Sequence, residues 1–125
     1  MNFITDNIST ILYIVGPITG VVTFQFFFPA FYANKVLNIE LKDDAAKFYF
    51  AHWGILVCAL AIFMVLAATN EALRIPVIAV TLMEKALLVF WVIKDIKKPY
   101  TKKLLPAAVF DGIVCVVFTA YLLGV

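Results

Sequence analysis

The chain has 125 residues, of which 65% are hydrophobic and 14% charged, and its mean hydropathy is +1.04. Soluble domains carry about 45–50% apolar and about 25% charged residues, and a soluble domain this small cannot hide so much apolar surface from water. The formal charge of +2 comes without a long basic run or an Arg-rich arm, so no nucleic-acid partner is expected.

A spanning helix needs about 20 mostly apolar residues. Four stretches reach that length, at about residues 8–32, 48–68, 75–93 and 104–123. The start of the chain, Met1-Asn2-Phe3-Ile4-Thr5-Asp6, has no basic n-region, and no small-x-small cleavage site follows the first apolar run. The first segment is therefore expected to stay in the mature protein. Inside it, Gly16-Pro17 and Gly20 should bend the helix, with Thr19 or Thr23 placed to satisfy freed backbone groups. Pro29 should reshape its far end, where Phe24, Phe26, Phe27, Phe28, Phe31 and Tyr32 gather as packing or lipid-facing rings.

The connections, residues 33–47, 69–74 and 94–103, are short. Short loops make neighbouring helices antiparallel, so the expected fold is all-α: a single-domain, integral membrane four-helix bundle running up-down-up-down. Pro76 and Pro106 should sit in the first turns of the third and fourth helices, where a missing N–H costs little. Positive charge near a membrane stays in the cytoplasm. The first loop carries Lys35, Lys42 and Lys47, and the third carries Lys94, Lys97, Lys98, Lys102 and Lys103; the opposite side has Arg74. Loops 33–47 and 94–103 are thus expected to be cytoplasmic, with both termini outside (N-out/C-out), in a bacterial inner membrane. Arg74 and Glu71 read as solvated, headgroup-level residues.

Cys58 and Cys115 lie in apolar runs and read as small buried hydrophobes rather than a disulfide. Metal-site spacing is missing, and so are serine-hydrolase, zinc-protease, phosphate-loop and dinucleotide motifs. No cofactor is expected.

The informative residues are polar groups inside the apolar stretches. A charge at mid-bilayer costs about 2.5–3.5 kcal/mol on insertion scales. His52, Glu84, Lys85 and Asp111 stand out, with Gln25 a weaker fifth. At 1.5 Å rise per residue His52, Glu84, Asp111 and Gln25 lie roughly 8, 15, 12 and 13 Å from the inner ends of their helices. Two acids face two bases. Neighbours on a helix point about 100° apart, so Glu84 and Lys85 cannot be each other's main partner. The expected wiring is Lys85 with Asp111 and Glu84 with His52. Trp53 reads as an anchor or a cavity wall, and Trp91 as a candidate wall. Gly54 and Gly112 adjoin the polar positions and would permit close helix approach.

His52-Trp53-Gly54, Arg74-Ile75-Pro76, Glu84-Lys85, Trp91 and Phe110-Asp111-Gly112 resemble the small four-helix bacterial membrane proteins of the DoxX-like and BphX-like kind. The resemblance covers the last three helices and implies a four-helix bundle, with no settled activity to carry over. The topology is also similar to that of the sterol-isomerase and sigma-2 receptor group, although no motif matches closely enough to transfer a residue. The small multidrug transporters share size and helix number but keep an essential glutamate in their first helix, which this chain lacks.

The leading expectation is a membrane protein that binds a lipophilic ligand through Glu84, Asp111, His52, Lys85, Trp53, Trp91 and Gln25. The alternatives are a structural or accessory subunit, whose polar groups glue helices together, and a proton-coupled transporter or membrane isomerase. Expected partners are the lipid bilayer and a lipophilic small molecule, with a homo-oligomer or a membrane-protein partner open.

Overall fold

The computed structural model describes residues 2–125, which are mostly helical, with no strand among them. A short helix α1 (Phe3–Asp6) leads into α2 (Ile8–Gly20), α3 (Thr23–Phe27) and α4 (Pro29–Lys35). Two long helices follow, α5 (Asp44–Thr69) and α6 (Glu71–Lys94). A 3-10 turn, Pro99–Leu104, then enters α7 (Leu105–Leu123). Four segments are long and apolar enough to cross a membrane: Ile8–Phe27, Asp44–Thr69, Glu71–Lys94 and Pro99–Leu123.

The first segment is broken twice. α2 continues through Pro17 to Gly20, and the first break follows at Val21–Val22. The ladder then tightens, with Val21 N–H donating to Ile18 O (3.3 Å) and Val22 N–H to Thr19 O (3.4 Å), the i→i−3 pattern of a 3-10 turn. The second break is Phe28, which adopts φ −133° and ψ 64°. A residue before proline is pushed out of the α region, and Pro29 restarts the chain as the first residue of α4. The expected single helix over about 8–32 is therefore three helices.

The second and third helices start earlier than the expected residues 48 and 75. Asp43 caps α5 through its side chain, which accepts from Ala46 N–H at 2.7 Å. Asn70 caps α6 by accepting from Ala72 N–H at 3.1 Å, so the connection between the two helices shrinks to Asn70 alone. Polar capping residues belong to a helix start although they lower local hydropathy. Pro76 consequently lies in the second turn of α6 rather than the first. Arg74, expected in solvent, turns back to the end of α5, donating from Nε to Ala67 O and from Nη2 to Ala68 O, each at 2.9 Å. These carbonyls are among the four that a helix C-terminus leaves unpaired. Ser9 Oγ also donates to Ala68 O, at 2.6 Å.

Side-chain exposure is inverted relative to a soluble domain. Ile62, Phe63, Met83, Leu87, Val109, Ile113 and Val116 are exposed, whereas Gln25, Thr81, Lys85 and Asp111 are buried. Such an apolar coat over a polar interior suits a hydrocarbon surround. One end of the bundle is filled by Leu12, Met64, Ile78 and Phe118 together with Ile8, Val15, Ala67 and Val114. The other end is different. There Ala33, Leu37 and Phe50 cluster with Tyr32, Trp53 and Leu104, and between the two clusters the helices part.

Candidate functional site

A cavity of about 540 Å³ opens between the broken first segment, α5, α6 and α7. Its polar groups are Thr19, Gln25, Glu84, Lys85, Lys103 and Asp111, and its aromatic walls are Tyr32, Trp53 and Phe110. Five of the seven sequence-predicted site residues meet here: Glu84, Lys85, Asp111, Gln25 and Trp53.

Lys85 and Asp111 form the expected pair. Lys85 Nζ donates to Asp111 Oδ1 at 2.7 Å, and the two side chains are 3% and 8% exposed. The ammonium also stands 5.3 Å from the centre of the Phe110 ring, a second favourable contact for a desolvated cation. A buried charge that is paired and bonded in this way satisfies the general rule for ionised groups in a membrane interior.

Gln25 is held by close backbone approach. Its Nε2 donates to Phe50 O at 2.7 Å, and the residue is 1% exposed. The geometry depends on Gly54. A Cβ built there would stand 3.0 Å from Gln25 Cβ, 3.0 Å from Phe26 N and 3.2 Å from Val22 O. Gly54 thus performs the role expected of it. Gly112 does not, since a Cβ there would meet nothing within 4 Å. Gly16 also permits close approach, its added Cβ falling 3.2 Å from Ala61 O.

Glu84 reaches the cavity from α6, but His52 does not meet it. Trp53 and Val57 line the cavity from α5. His52, one residue before Trp53, is rotated about 100° away and lies exposed, stacked on Phe48 with ring centres 5.7 Å apart. The expected Glu84–His52 pairing is therefore corrected. Glu84 Oε2 is buried with no hydrogen-bond partner among the described residues. Trp91 is likewise outside the cavity. It lies in the last turn of α6, 52% exposed, with Lys94 Nζ 4.3 Å from its ring centre, an arrangement suited to the interface between hydrocarbon and headgroups.

The sequence reading placed neither Lys103 nor Thr19 at the cavity, and Thr19, expected to satisfy freed backbone groups, does not. Lys103 reads as one more loop lysine, and its place on the cavity wall comes from the 3-10 turn that carries it back over the helices. Thr19 Oγ1 is buried without a partner among the described residues. The loop between α6 and α7 is a built structure. Thr101 Oγ1 donates to Lys98 O at 2.8 Å, and the Tyr100 hydroxyl donates to the Asp95 carboxylate. Lys98 and Lys94 stand 3.6 and 3.8 Å from Asp95 Oδ1. The Tyr100 hydrogen bond, helped by the two ammonium groups, holds the Asp95 carboxyl below the usual carboxylate range.

Among the described residues no three His, Cys, Asp or Glu side chains gather as a metal site. What the cavity offers is one ion pair, the Glu84 carboxyl, the exposed Lys103, and apolar and aromatic walls. Comparison with protein-family models, with curated proteins and with solved structures yields no match to this chain.

Proposed function

We propose that this is a multi-pass membrane protein that holds a lipophilic molecule in the cavity between its helices. The observation that carries the reading is an opening of about 540 Å³ lined by Gln25, Glu84, Lys85 and Asp111 together with the rings of Tyr32, Trp53 and Phe110. Ligand sites are typically about 300–1,000 Å³, mostly apolar, with a few convergent polar groups. A purely structural subunit calls for a filled bundle, so the opening favours ligand binding over helix glue.

The bundle runs up-down-up-down. Ser9 of the first segment meets Ala68 near the end of α5, while Gln25 meets Phe50 near its beginning. The two lysine-bearing loops share an end of the bundle, because Leu104 packs on the cluster of Ala33, Leu37 and Phe50. With positive charge retained inside, that end faces the cytoplasm and both termini face out. The residues that resemble the DoxX-like proteins fit a bacterial inner membrane.

Two tryptophans make a direct test. Trp53 lines the cavity and Trp91 faces outward. In the Trp91→Phe protein, a brominated long-chain alkanol should quench Trp53 saturably at low concentration. In the Trp53→Phe protein, the same compound should quench Trp91 only in proportion to its partition into the surrounding lipid. Identical unsaturable curves would overturn the proposal.

A further inference from the structure

The charges around the cavity are not all paired. Lys85 is committed to Asp111 at 2.7 Å and to the Phe110 ring, and its side chain is 3% exposed. The other cation on the wall, Lys103, is exposed at the edge formed by the 3-10 turn. Glu84 remains: it lines the cavity, and its carboxyl makes no ion pair or hydrogen bond among the described residues. A buried polar oxygen left unpaired is costly, and a buried charge more so. The missing partner is a hydrogen-bond donor, best a positively charged one.

The walls agree. Tyr32, Trp53 and Phe110 line the same space, and aromatic faces attract organic cations. An anionic ligand would meet Glu84 and Asp111 as like charges, and with Lys85 already paired the cation open to it is Lys103 at the exposed edge. A neutral alcohol could bond the Glu84 carboxyl but would leave an ionised Glu84 uncompensated.

We infer that the cavity takes an amphipathic amine, its ammonium group paired with the Glu84 carboxylate and its alkyl body laid along Val22, Val57 and Leu88. The inference rests on the reading of the cavity as a ligand site, and it assigns Glu84 as the group that selects the ligand class.

The test compares three brominated compounds of equal chain length, an alkylamine, an alkanol and an alkanoic acid, by quenching of Trp53 in the Trp91→Phe protein. The amine should reach half-quenching at a concentration at least about tenfold below the alkanol, with the acid weakest. Adding Glu84→Gln should bring the amine to the alkanol's level, and a cooperative melt of the variant reports that it is folded. An amine no tighter than the alkanol, a preference that survives Glu84→Gln, or an acid that binds tightest overturns this inference alone. If none of the three saturates Trp53, the ligand-site reading fails and takes the inference with it.

Discussion

Lys85 Nζ and Asp111 Oδ1 stand 2.7 Å apart between α6 and α7, with both side chains nearly closed to the outside. Removing one member leaves the other as an uncompensated buried charge. Asp111→Leu or Lys85→Met alone should destabilise the protein by about 3–5 kcal/mol, whereas the double variant should recover most of that loss. Thermal unfolding of the four proteins in one detergent measures the cycle. Additive losses would show that the pair is not a unit.

Gly54 and Gly112 separate packing from propensity. Gly54→Ala pushes a methyl group against Phe26 N and Gln25 Cβ, both at 3.0 Å, and should cost about 1–3 kcal/mol. Gly112→Ala has open space and should leave stability unchanged or raise it by up to about 1 kcal/mol, as alanine is the better helix former. Melting temperatures of the two variants should therefore move in opposite directions, or only the first should move.

Arg74 should matter more than an exposed headgroup-level residue. Its guanidinium bonds Ala67 O and Ala68 O at the end of α5. Arg74→Met, which keeps the apolar stem, should make the chain easier to cleave near Asn70 and lower the melting temperature. Glu71→Gln should do neither, since Glu71 is 89% exposed and only 3.7 Å from Arg74 at its nearest.

The loop of Asp95 should be acid-sensitive in a defined direction. Its carboxyl is held below its ordinary value of 3.8, first by the Tyr100 hydrogen bond and then by Lys94 and Lys98. A carboxyl depressed in the folded state contributes stability that is complete above the unfolded value and lost as pH falls through the folded one. Protease protection of residues 94–103 should thus hold constant through neutral pH and begin to fall only below about pH 4. Asp95→Asn should weaken protection at neutral pH and remove the acid dependence.

The parts of this architecture visible in the sequence are those set by hydrocarbon and charge. Four apolar stretches have nowhere else to go, and Lys85 needs an anion within the bundle, which Asp111 can supply. The helix starts were hidden because Asp43 and Asn70, which cap α5 and α6, lower hydropathy where the helix begins. The Glu84–His52 pairing failed for want of a rotational reference. Hydropathy does not say which face of α5 looks inward, and a 100° error moves His52 from the cavity to the surface. Lys103 needed the 3-10 turn, and the cavity itself needed two breaks, one at Phe28, which Pro29 locates, and one at Val21–Val22, which no proline marks.

The most direct measurement of the central claim is native mass spectrometry of the protein released from mild detergent, with the bound molecule identified by fragmentation. The wild-type chain should carry a discrete added mass, one per chain, and Ala107→Phe, which fills the cavity from α7, should appear bare while melting cooperatively. A bare wild-type chain, or the same adduct on both proteins, would contradict the account.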